Sequence, residues 1–167
     1  MELFIYLFAS LFSVLNPIGT VPIFVGLTQE FSKKDRSRIA LLTAFNVFLI
    51  LVISYFVGQY VLAFFGITID SLRIAGGIII AHSGFSLLNK KFTKSRGINK
   101  EIEVDIQKRN DIALTPLAIP MLAGPGSISL LIAFYQDHHQ TLDIVFSTLA
   151  IFVVAISIFL ILKSAHY

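Results

Sequence analysis

The residues with chemical promise are prolines and glycines set inside apolar runs. Leu15 to Phe24 reads LNPIGTVPIF, with Pro17 and Pro22 on either side of Gly19 and Thr20. Ala113 to Ser129 reads ALTPLAIPMLAGPGSIS, with Pro116, Pro120 and Pro125, the last between Gly124 and Gly126. Proline has no backbone donor, and its ring clashes with the carbonyl four residues back, so no helix runs unbroken through either stretch. In hydrocarbon a freed backbone group is costly, and such a break persists only against protein or a water-filled cavity. Half-helices starting near Pro17 and Pro125 would aim N–H groups and a positive dipole end at an anion such as a carboxylate. Unwound carbonyls near Asn16 and Ala123 suit an ammonium group or a cation, and Thr20, Ser127 and Ser129 add hydroxyls. Asn16 and Thr115 each precede a proline, and either cap a half-helix or touch a solute. The plainer alternative is that the prolines only kink helices for packing. The duplication favours a site, because interrupted segments at corresponding places in two halves point to a transporter's binding site.

Other chemistry is scarcer. Gly124-Pro125-Gly126-Ser127 is not the G-x-S-x-G nucleophile elbow, and no histidine or carboxylate is spaced to complete a triad. There is neither a phosphate loop nor a metal-ligand cluster, so neither an enzyme nor a cofactor is expected. Asp70 and Arg73 sit at one end of an apolar segment as an ion pair or a gate. His82 falls midway along the same segment, where an ionisable group is a functional candidate. No Asp or Glu lies centrally in any segment. Coupling is therefore left to Na+ at backbone carbonyls, to H+ through His82, or to nothing. Gly76, Gly77, Ala81 and Gly84 are spaced for close helix packing, and Asn46 for an interhelical hydrogen bond. His138 and His139 read as ordinary loop histidines.

The elements that position these residues follow from hydropathy. Of 167 residues 56% are hydrophobic and only 14% charged, which is membrane composition. The net charge of +3 then reflects loops beside a membrane, not a nucleic-acid partner. There is no cysteine, so disulfides are excluded. Glu2 and the internal prolines argue against a cleaved signal peptide and for a retained first helix. Apolar segments run from about Leu3 to Leu27, Ile39 to Phe64, Leu72 to Leu88, Ile112 to Tyr135 and Leu142 to Leu162. Each is about the ~20 residues that a bilayer core requires. Between them lie a charged turn at Gln29 to Arg38, short loops at Gly66 to Asp70 and Gln136 to Thr141, and a polar linker at Asn89 to Asp111.

The basic residues orient the chain. Twelve of the 13 lysines and arginines fall on one side if the N-terminus is outside, Arg73 being the exception. The broken segments are the first and fourth. An odd offset means that the second copy enters the membrane from the opposite side, so the halves form an inverted repeat. The expected fold is an all-α polytopic membrane helical bundle. Residues 1–88 hold three helices of the first repeat, residues 89–111 a cytoplasmic linker, and residues 112–167 two helices of the second. The repeat is thus three plus two, with the third member of the second half missing.

Three stretches carry a resemblance. They are Asn16-Pro17-Ile18-Gly19 with Pro22; Phe65-Gly66-Ile67 through Asp70 to Leu72-Arg73-Ile74-Ala75-Gly76-Gly77; and Pro116-Leu117-Ala118-Ile119-Pro120 with Ala123-Gly124-Pro125-Gly126-Ser127. In order and spacing the chain resembles the MarC family of bacterial inner-membrane proteins along essentially its whole length. That resemblance implies a multi-pass protein of six helices, of which this chain has five. It also implies transport of glycine, alanine or similar small neutral amino acids, as in some relatives; the alternatives are an exporter or channel for another small polar solute, and a non-transporting membrane remnant or assembly partner. The partners expected are a small solute, the lipid bilayer and a second copy in a homo-oligomer.

Overall fold

The structure, a computed structural model, describes residues 2–88 and 122–165. They form six helices and no strand: α1 (Glu2–Leu15), α2 (Pro17–Leu27), α3 (Lys33–Phe64), α4 (Ile69–Leu88), α5 (Pro125–Asp137) and α6 (Thr141–Ser164). Three stretches are long and apolar enough to cross a membrane: Glu2–Leu27, which joins α1 and α2, then Lys33–Phe64 and Thr141–Ser164. At about 1.5 Å per residue α4 also spans roughly 30 Å.

The helix ends follow from local chemistry. α3 starts earlier than hydropathy predicts, at Lys33 rather than near Ile39. The reason is a cap: Ser32 Oγ accepts from Asp35 N at 3.2 Å, and Asp35 sits in the first turn, where a negative charge complements the dipole. The charged turn therefore shrinks, and Lys34 and Arg38 ride on a helix. α3 ends in a Schellman turn. Gly66 takes a left-handed φ of 67°, and Ile67 N donates to Leu62 O at 2.9 Å. Thr68 then opens α4, its Oγ1 accepting from Ser71 N at 3.3 Å. α6 carries Asp143 in its first turn and Lys163 in its last, matching both dipole ends.

α6 packs on α1, α2 and α3, while α5 packs on α1, α3 and α4. The core is a seam of side chains at helical spacing: Leu7, Leu11 and Leu15 on α1, Val47, Leu51 and Tyr55 on α3, and Ile151, Val154 and Ile158 on α6, all fully buried. The α3–α6 pair is antiparallel. Its early α3 residues meet late α6 residues, with the Phe48 and Phe152 rings 5.9 Å apart. Outward faces stay apolar, as in Leu41, Phe45, Leu49 and Ile53 on α3 and Leu149, Phe152, Ile156 and Leu160 on α6. Such faces suit lipid, which is as apolar as leucine.

The small residues of α4 pack more narrowly than their spacing suggests. A Cβ at Gly76 would collide with Ser129 on α5, so α4 and α5 touch closely there. Among the described residues, Gly77 and Gly84 have open space where a Cβ would stand, and Ala81 is exposed. A helix presents one face to α5, and of the expected packing positions Gly76 is the one set against it. Another close approach is one that the spacing did not flag, Gly58 of α3 against Ile132 of α5.

Candidate functional site

The first break is built around Asn16. It completes α1 by donating N–H to Phe12 O at 3.1 Å, then turns left-handed with φ 44° and ψ 61°. Proline disfavours the right-handed helical region for the residue before it, and asparagine is among the few non-glycine residues that tolerate the left-handed one. Asn16 Oδ1 accepts from Gly19 N at 3.2 Å, so the side chain caps α2. Of the two roles left open for it, capping is the one that the geometry displays. Pro17 occupies the first turn of α2, where its missing N–H costs nothing. Pro22 lies inside α2 and withholds the N–H that Ile18 O would otherwise accept.

The second break has no such side chain. Gly124 is the N-cap of α5 with an extended backbone, φ −81° and ψ 173°, and Pro125 follows in the first turn. Ser127 N and Ile128 N donate to Gly124 O at 3.1 and 3.2 Å. Thr115, Pro116 and Pro120 lie outside the described residues, as does the rest of the fourth segment before Leu122.

The two breaks meet. A Cβ at Gly126 would stand 3.6 Å from Val14 Cγ1, in the last turn of α1, and 2.9 Å from Ile80 Cγ1 of α4. The start of α5 is therefore set against the end of α1, two residues before Asn16, with α4 closing the third side. The hydroxyls of the two broken segments are buried and turned back on their own helices. Thr20 Oγ1 donates to Asn16 O at 3.3 Å, Ser127 Oγ to Gly124 O at 2.8 Å and Ser129 Oγ to Gly126 O at 3.0 Å. Each has spent its proton and keeps acceptor capacity, so these groups suit a donor such as an ammonium better than a carboxylate.

Arg73 binds further than expected. Its Nη2 contacts both carboxylate oxygens of Asp137, at 2.7 and 2.6 Å, while Asp70 stands at 3.8 Å. The expected pair with Asp70 is thus the weaker contact. The stronger one ties the first turn of α4 to the last of α5. In the sequence Asp137 looks like loop, 64 residues from Arg73. The available signal was that Arg73 is the lone basic residue on the side where the Asp137 loop also lies. His82 is exposed on α4, two positions beyond Ile80, and so stands on a different face of α4 from the residue that meets Gly126. His138 stacks on Phe134 at 4.4 Å and His139 Nδ1 lies 3.2 Å from Gln136 O. Two further buried hydroxyls, Tyr55 on α3 and Ser147 on α6, face one another across the α3–α6 seam without a well-formed hydrogen bond. Both read as filler in apolar runs.

Two broken segments set against one another are what the three motifs frame, and all of residues 1–167 match the family described as MarC family integral membrane protein. The chain belongs to the MarC family. It is 39% identical over 164 residues to a UPF0056 membrane protein of Buchnera aphidicola subsp. Schizaphis graminum, covering 98% of this chain and 75% of that one. It is 37% identical to UPF0056 membrane protein YhcE of Escherichia coli K12, over 91% of this chain and 68% of the relative. It is also 37% identical to UPF0056 inner membrane protein MarC of Escherichia coli O1:K1, over 78% of this chain and 61% of that one. No solved structure matches. Family and apolar helices together make this MarC-family chain a multi-pass membrane protein.

Proposed function

We propose that the protein moves small neutral amino acids across the bacterial inner membrane by alternating access, with the solute bound where the two breaks meet. The observation that carries this reading is the apposition of Val14 and Gly126, which brings the end of α1 to the start of α5. The α5 start, which has no side-chain cap, would take the solute carboxylate through the Gly126 N–H, aided by the helix dipole. Lone pairs on Ser127, Ser129 and Thr20 would take the ammonium. Close packing of Gly126 against Ile80 and Val14 would favour a solute with a small side chain.

The inverted repeat belongs to the same reading. α3 and α6 would be equivalent second members, so that α3 on α5 corresponds to α6 on α1 and α2. Rocking of one half against the other would expose the shared site alternately to either side. In this orientation the N-terminus and the Asp137 loop face outward.

Counterflow into proteoliposomes tests the reading. Vesicles holding the 167-residue protein are preloaded with unlabelled glycine, alanine, serine or leucine and offered labelled alanine. Accumulation with the three small solutes but not with leucine is expected, and Ser127→Ala should raise the half-saturation concentration by about 2- to 12-fold, the equivalent of one hydrogen bond. Equal accumulation with leucine would overturn the size argument, and none with any solute would overturn the solute class. Repeating the assay with a Na+ or a pH gradient identifies the coupling ion.

A further inference from the structure

Between α3 and α6, on the outer surface of the bundle, lies an apolar groove of about 250 Å3. Its floor is two small residues, Ala44 and Ala155, and its walls are the rings of Phe45, Phe48, Phe152 and Phe159. Small residues beneath and aromatic rings beside make a channel along the helix axes rather than a flat face. Apolar surface alone would say nothing in a membrane protein. The end of this channel is different. On α3, Lys34, Arg38, Leu41, Phe45 and Phe48 recur at spacings of four, three, four and three, which is one helix face. On α6, Phe152, Ile156, Phe159 and Lys163 do the same. Followed toward the start of α3, the antiparallel register set by Phe48 and Phe152 brings Arg38 level with Lys163.

Both walls therefore run out into cations at the same end. Lys34, Arg38 and Lys163 are exposed, and among the described residues no ion pair involves any of them. Lys163 Nζ sits 5.4 Å from the centroid of the Phe159 ring, so the wall residue itself holds the ammonium at the mouth. We propose that the groove is a lipid site: one acyl chain of an anionic phospholipid lies between the phenylalanine walls, and its phosphate is met by Arg38, Lys34 and Lys163. Arginine offers a planar fork to two phosphate oxygens and lysine a point charge, and basic pockets between helices at a membrane surface are suited to acidic headgroups. This site is separate from the meeting of the breaks and holds whether or not the chain transports amino acids.

The chain has no tryptophan, so a single one reports locally. Phe45→Trp places it in the groove. Ile53→Trp places it on the same outward stripe of α3 but beyond the groove. Each variant is reconstituted in phosphatidylcholine containing a few per cent of either dibrominated phosphatidylglycerol or dibrominated phosphatidylcholine, and quenching is read. At position 45 the anionic lipid should quench at several-fold lower mole fraction than the zwitterionic one, and at position 53 the two should be equal. Adding Arg38→Gln or Lys163→Gln should lower the preference, by at most about fivefold for each cation. Equal quenching by both lipids at position 45 would overturn the proposal. A preference unchanged by loss of both cations would overturn the assigned headgroup contacts. If Phe45→Trp fails to insert, Phe152→Trp reads the opposite wall with the same two outcomes.

Discussion

At Asn16 a left-handed backbone and a capped Gly19 N–H are two separable contributions of one side chain. Asn16→Gly keeps the conformation at no steric cost and loses only the cap, for a few tenths of a kcal/mol. Asn16→Ala loses the cap, about 1 kcal/mol, and adds left-handed strain of roughly 1–2 kcal/mol. Thermal melts in detergent should therefore rank native slightly above Asn16→Gly and well above Asn16→Ala. The reverse order of the two variants would show that φ at this position is not what matters. The Arg73–Asp137 contact calls for a different scale. Both side chains are about half exposed, at 42% and 57%, so the pair contributes only about 0.2–1 kcal/mol although Nη2 reaches both carboxylate oxygens. A double-mutant cycle with Arg73→Ala and Asp137→Ala should return a coupling in that range. Counterflow that is normal in Arg73→Ala would make the contact a strut between α4 and α5 rather than a gate.

Among the elements, α4 gives the sharpest contrast. Gly76→Ala drives a methyl into Ser129 and should destabilise the α4–α5 pair by about 1–3 kcal/mol, whereas Gly77→Ala meets open space and should be neutral or slightly stabilising. Chemical unfolding of the two variants measures the difference directly. From sequence the two glycines are indistinguishable, because spacing gives a stripe but not the direction in which it faces. The breaks were legible at Pro17 and Pro125 because proline's missing donor acts wherever it stands. The beginning of α3 was not legible from hydropathy, since Ser32 and Asp35 start a helix through hydrogen bonds that an apolar average cannot register. That Val14 lies on Gly126 was beyond any local pattern: it depends on how α1, α4 and α5 stack.

For the whole molecule, the distribution of charge makes a claim about sidedness. The absence of native cysteine means that one introduced thiol is the only one present. His139→Cys in the loop after α5 should be labelled by an impermeant maleimide in intact cells, and Lys34→Cys only after the membrane is opened. The opposite pattern would invert the orientation and with it the assignment of an outer and an inner end to every helix.

The lengths of α3 and α6 also differ in a way that matters to the membrane around them. The apolar part of α6, Leu142 to Leu162, is about 31 Å long, close to the hydrocarbon thickness of an ordinary bilayer. That of α3, Ile39 to Phe64, is about 39 Å. Two partners packed side by side thus have different thickness optima. A thin bilayer suits α6 and forces α3 to lean; a thicker one lets α3 stand straighter and drags the polar ends of α6 inward. Their crossing is consequently a compromise that bilayer thickness can reset, and the protein's behaviour should vary with acyl-chain length even where headgroup and charge are held constant.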